Sequence, residues 1–232
     1  VTSLADTNVL GTLRNAVSQT CKYIVFDVGG SITLATTLSV TSPYLTIDGL
    51  SAPSPGITII QPNQYNTQII NGNHDVIIHH IRNDGMANGV HPGSGDIWGL
   101  DGDPTPIYNI VLDHITGNDS MDGIFDLYGN VRDDTVSWSF IKNTVTATNI
   151  YFNGAEARDR VSFHHNVWAR NNERQIKIRF LSRDFDFVNN VVYGWGWWEG
   201  MGDGSMWIQH DTSSTDISMN VEDSIIHWVN NP

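Results

Sequence analysis

Asp122 and Asp126, in the stretch DSMDGIFDLYGN from Asp119 to Asn130, stand four residues apart with Gly123 between them. Two carboxylates on one face repel, and a cation held between them is one way to balance the charge. Along a straight strand four residues cover about 13 Å. Oxygens bound to one calcium ion at about 2.3–2.6 Å stand at most about 5 Å apart. The pair can therefore share an ion only where the chain bends, and Gly123 permits a bend. Asp96, in HPGSGDIWGL, is placed to add a third acid from the preceding coil of the chain, with Asp101 and Asp103 of LDGDP as alternates. Oxygen-only ligation without cysteine favours calcium over zinc. On spacing alone, surface acids that bind nothing are the competing reading.

A second group of chemical interest is RNNERQIKIRF, from Arg170 to Phe180. Arg174, Lys177 and Arg179 concentrate positive charge in a chain that has only 12 Lys and Arg against 25 Asp and Glu. Strand alternation puts Lys177 on the face of Arg179 and turns Ile176 and Ile178 the other way. A cationic strip beside a calcium site suits a polymer of carboxylates, since ion and guanidinium both bind acid groups. Surface ion pairs with the abundant acids are the alternative.

Both groups must be carried by a fold that brings distant residues together. The chain has 232 residues, 40% of them hydrophobic and 16% charged, which suits one globular domain spanning 1–232 with a sizeable core. A net charge of −13 excludes the basic footprint of a nucleic-acid binder. No apolar run reaches the length of a membrane span, and the single cysteine, Cys21, excludes an internal disulfide. The first residue is Val rather than Met, as in a processed or trimmed chain, and IIHWVNNP ends abruptly after a strand-like run, as if more chain followed.

An aliphatic-alternating pattern recurs in YLTIDGL, DVIIHHI, NIVLDHI, TVSWSFI, RVSFHHNV, DFDFVNNVV and DISMNVEDSII. Its leading residue moves from Val111 to Val136 to Val161 to Phe185, a step near that of a solenoid rung. The strands are short and rich in Val, Ile and Thr, with Gly, Asn and Asp between them. The pattern predicts an all-β, single-stranded parallel β-helix of about eight rungs. A short helix at GTLRNAVS, with Leu13, Ala16 and Val17 on one side, would cap its N-terminal end. A β-sandwich is the competitor, but it should show hairpin turns at alternate strand ends. Asn166, Asn189 and Asn190 fall at corners where stacked amides satisfy backbone groups. His164 and His165 read as wall residues rather than catalysts, and Trp195, Trp197, Trp198 and Trp207 as packing before sugar stacking.

The ordered series IVFDVGGSITL, YLTIDGLSAP, DVIIHHI, NIVLDHIT, DGIFD, TVSWSFI, VSFHHNVW, ERQIKIR and NNVVY resembles the pectate lyases of polysaccharide lyase family 1, from about Gly11 to Tyr193. The resemblance implies a right-handed β-helix, a calcium cofactor and β-elimination of polygalacturonate by a secreted, monomeric enzyme with no nucleic-acid or membrane partner. It implies Asp96, Asp122 and Asp126 as calcium ligands, Arg174 as the base that takes the C5 proton, and Arg179, with Lys177 beside it, as substrate-carboxylate ligands. There are three departures. The family lysine of the rung after the paired acids falls near Thr146, with Lys142 and Arg158 the nearby bases. Ile176 stands where the family has proline. The spacing from Arg174 to the NN pair is about two residues longer. A calcium-independent enzyme on methylated pectin and a non-catalytic carbohydrate-binding β-helix are the alternative functions.

Overall fold

A computed structural model of the chain describes residues 1–63, 65–70, 72–85, 95–120, 122–152, 160–180, 184–196, 206–209 and 219–227. The fold is a parallel β-helix with three walls. The first wall carries, among others, the start of the long strand Trp98–Asp113, then Phe125–Arg132, Thr148–Phe152 and Ile176–Phe180. The second carries Leu45–Asp48, His74–His79, the end of Trp98–Asp113, Thr135–Ser137, Val161–His164 and Phe185–Val188. The third is a separate eight-stranded sheet running from Gly30–Thr33 to Ile225–His227. Neighbouring strands pair in parallel throughout these walls.

The strands form where they do because alternate residues can enter a shared interior. On the second wall Ile47, Ile78, Leu112, Val136, Phe163 and Phe187 lie in register on successive rungs, and all are buried. Burying each such side chain contributes about 1.5–3 kcal/mol before chain entropy is subtracted. The register corrects the repeat drawn above. Val111 pairs with Thr135 on the outer face, and the inward partner of Val136 is Leu112. Side chains change face at every residue, so a slip of one position exchanges inside for outside. Both residues are aliphatic, which hid the slip.

Corners need backbone that turns sharply. Several are made by non-glycine residues with positive φ, including Asp75, His80, Asn109, His114, Asp133 and Asn189. Asn, Asp and His tolerate that conformation better than bulkier residues. Between the second and third walls, Ser139, Asn166, Asn190 and Ser224 form a column. The backbone N–H of Ile115 donates to Ser139 Oγ at 3.0 Å, that of Ser139 to Asn166 Oδ1 at 2.8 Å, and that of Asn166 to Asn190 Oδ1 at 2.8 Å. The N–H of Asn190 completes it, donating to Ser224 Oγ at 3.1 Å. Asn189 belongs to a different row, in line with His165: the N–H of His165 reaches Val188 and that of Asn189 reaches Glu222.

That outer row holds stacked rings. His80 and His114 lie 4.5 Å apart, and Trp138 and His165 4.4 Å apart, nearly parallel in both cases. His164 and His165 are thus wall residues, as expected. At the N-terminal end the helix Leu13–Val17 buries Leu13 and Val17 against Lys22–Ile24 and Leu38–Val40, and Thr12 caps it. No helix among the described residues is long and apolar enough to cross a membrane.

Candidate metal and substrate site

The first wall begins each rung at a corner, and the acids of interest lie there. Ser120 Oγ donates to the Gly95 carbonyl at 2.9 Å and accepts from the Asp122 N–H at 3.1 Å, tying the two acid-bearing turns together. Thr144 Oγ1 donates to the Asp122 carbonyl at 2.7 Å. Gly123 lies between Asp122 and Asp126 in the turn that leads into the strand Phe125–Arg132. The Gly123 N–H donates to Asp96 Oδ1 at 2.9 Å. A Cβ at Gly123 would stand 2.7 Å from Asp96 Oδ1 and would overlap Asp126 Oδ1. Glycine is needed here because two carboxylates from successive rungs close over it.

Their electrostatics follow from that geometry. Burial, then the nearby Asp122 charge, pushes Asp96 up to about 6 against the pull of the Gly123 N–H. Asp126 is raised well above the ordinary carboxylate range, first by burial and then by Asp96 and Asp122, with hydrogen bonds from Asn149 opposing. Asp126 Oδ1 is buried and makes no hydrogen bond. Two converging carboxylates, one with an orphaned oxygen, fit the donor set of a hard divalent cation such as calcium. The acids alone do not complete a cage: among the described residues no three His, Cys, Asp or Glu side chains meet closely enough to hold a metal. Asp122 adds its charge to the other two but accepts a hydrogen bond at 3.3 Å from Thr146, the residue that stands where the resemblance expects lysine.

The basic strand lies two rungs on. Asp126 pairs with Asn149 and Asn149 with Lys177, while Tyr128 pairs with Tyr151 and Tyr151 with Arg179. Lys177 and Arg179 are therefore in line with Asp126 and Tyr128 on the outer face, and Ile176 and Ile178 are buried beneath. Lys177 is itself covered, at 1% exposure, which alternation does not reveal. Arg174 precedes the strand with positive φ, its carbonyl accepts from the Thr148 N–H at 2.8 Å, and its Nε stands 3.5 Å from Glu173. Of the alternates, Asp101 and Asp103 lie on the strand beyond the corner, and Lys142 lies on the third wall, over the Phe140 ring. Arg158, Trp197 and Trp198 lie outside the described residues, as does the side chain of Trp207. Trp195 packs on the core. Sequence reasoning missed Asn149, which follows Asp126 by 23 residues, close to one rung, and the stacked pair Tyr128–Tyr151, whose rings are 5.0 Å apart.

Fold and site together define a parallel β-helix protein with an acidic corner on one wall and a basic strand two rungs on. Relatives give that class a more particular setting: the chain is 32% identical over 196 residues to a probable pectate lyase C of Emericella nidulans and 31% identical over 186 residues to a probable pectate lyase C of Aspergillus flavus. These alignments cover 84% and 80% of this chain but 43% and 41% of the relatives, so the chain spans about two fifths of their length. No family model matches the chain. The crystal structure of jun a 1, the major allergen from cedar pollen, shares the fold with a TM-score of 0.65 at 15% identity, covering 99% of this chain and 78% of that one.

Proposed function

We propose that this chain is the core of a secreted, calcium-dependent pectate lyase that cleaves α-1,4-polygalacturonate by β-elimination. The observation that carries the reading is the meeting of Asp96 and Asp126 over Gly123, in a chain most of which aligns with proteins named pectate lyases. Asp96, Asp122 and Asp126 are assigned to the cation, Arg174 to proton abstraction, and Arg179 with Lys177 to the substrate carboxylates. Asp96, Asp122 and Asp126 would hold the calcium, which would supply charge stabilisation for the uronate carboxylate and so acidify the C5 proton.

The chain's own residues then have simple tasks. The C5 proton goes to Arg174, the C4–O bond breaks, a C4–C5 double bond forms, the departing glycosidic oxygen takes a proton from solvent, and Arg174 returns its own to solvent. No water attacks, so the product is unsaturated, unlike that of the two-carboxylate hydrolases. An arginine base is unusual because its pKa lies above about 12.

The test is the absorbance of unsaturated uronide on polygalacturonate, with calcium and then with chelator. Calcium-dependent absorbance is expected, and Arg174→Ala should abolish it while leaving polymer binding largely intact. Activity on methylated pectin that survives chelator would replace this reading with a pectin lyase. Silence on both polymers would replace it with a non-catalytic β-helix.

A further inference from the structure

The acids at the corner leave a cation short of oxygens, and one neutral group stands where the shortfall lies. Calcium takes about six to eight oxygens, and amide carbonyls of Asn are regular members of its shell. Asn149 pairs in register with Asp126 on the next rung. Its Oδ1 is buried and makes no hydrogen bond, as is true of Asp126 Oδ1 on the adjacent rung. Two orphaned buried acceptors on adjacent rungs are costly unless something satisfies them. Among the described residues the amide's hydrogen bond is a long one, Nδ2 to Asp126 Oδ2 at 3.5 Å. Half a turn about the last side-chain torsion exchanges Oδ1 with Nδ2 at the expense of that one weak contact. Asn149 Oδ1 then takes the place of Nδ2 and faces Asp126 Oδ2, 3.5 Å from that position, a separation that an ion with bonds of about 2.3–2.6 Å can bridge.

We propose that Asn149 is a further ligand of the cation at this corner, its side-chain oxygen adding to those of Asp96 and Asp126. The proposal rests on the calcium reading of the site. Thr146 sets a hydroxyl rather than an ammonium next to Asp122, and a further oxygen from Asn149 would add to the ion's shell there.

The experiment is terbium and calcium titration of the purified chain, read by luminescence sensitised through Trp98, which lies in register with Phe125 beside Asp126, and by the calcium-induced rise in melting temperature. Asn149→Ala should weaken both ions by about tenfold or more. Asn149→Asp should bind at least as tightly as the native chain. In chelator Asn149→Ala should melt close to the native chain, because the contact it loses is long, whereas Asn149→Asp should melt lower, because it adds a carboxylate beside Asp126. Native affinity in Asn149→Ala, or a lower melting temperature in chelator with unchanged affinity, would overturn the proposal and leave the calcium reading intact. A native chain that binds neither ion would remove both.

Discussion

Two corners of the same coil treat buried polar atoms in opposite ways. At the corner between the second and third walls, the amides of Asn166 and Asn190 use both ends. Each accepts an N–H from the rung before, and each donates to a main-chain carbonyl, Val136 at 2.9 Å and Phe163 at 2.7 Å. At the corner that opens the first wall, Asp96 and Asp126 close on each other, and Asp126 and Asn149 each keep an oxygen without a donor. Both corners stack equivalent positions of successive rungs. One uses the stacking to complete a hydrogen-bond column, and the other to gather negative charge while leaving an oxygen of Asp126 unsatisfied. A solenoid can assign stability and ligand binding to different corners because each corner is repeated without being identical.

The largest effect should come from breaking the satisfied corner. Asn190→Ala removes the acceptor of the Asn166 N–H and the donor to Phe163, and strands two buried backbone groups. A cost of about 3 kcal/mol is expected, read as a lower denaturation midpoint with unchanged slope. A change below about 0.5 kcal/mol would deny the column its role.

The acid corner should respond with the other sign. Asp126→Asn removes a buried charge that faces Asp96 and Asp122. In chelator at neutral pH the variant should be more stable than the native chain by about 1–2 kcal/mol. With calcium present the order should reverse, because the native chain gains binding energy that the variant has lost. A variant less stable than native in chelator would mean that the carboxylate is paired there, and the contrast between the corners would fail.

Much of this contrast was legible in residue types and spacing. The alternation of apolar residues and the recurring Asn led to the β-helix. Gly123 between two acids, with Asp96 a coil earlier, led to the acidic corner. What stayed hidden depends on register. Val111 and Leu112 differ only in which face they occupy, and nothing in their chemistry distinguishes them. Asn149 carries no charge, and its meaning comes from standing opposite Asp126. Alternation put Lys177 on the outer face but could not show that it is covered. The ring stack of His80, His114, Trp138 and His165 likewise appears only once the rungs are aligned.

The smallest effect belongs to an exception on the second wall. Asp134 is buried at its start; Oδ1 accepts the Ile110 N–H at 2.7 Å, and Oδ2 has no partner. Burial first, then the adjacent Asp133, raises its pKa well above the ordinary carboxylate value, against the Ile110 hydrogen bond. The folded chain therefore holds this proton more tightly than the unfolded chain does. Between the ordinary carboxylate pKa and the raised folded one, stability falls as pH rises, and the loss is complete above the folded value. Asp134→Asn keeps an acceptor for Ile110 and removes the titration. It should melt higher than the native chain at neutral pH, by about 1 kcal/mol, and the advantage should shrink as pH drops toward the ordinary carboxylate range. Melting curves of the two proteins that run parallel across that range would show that Asp134 does not exchange its proton on unfolding, and its unpaired oxygen would then need a donor of another kind.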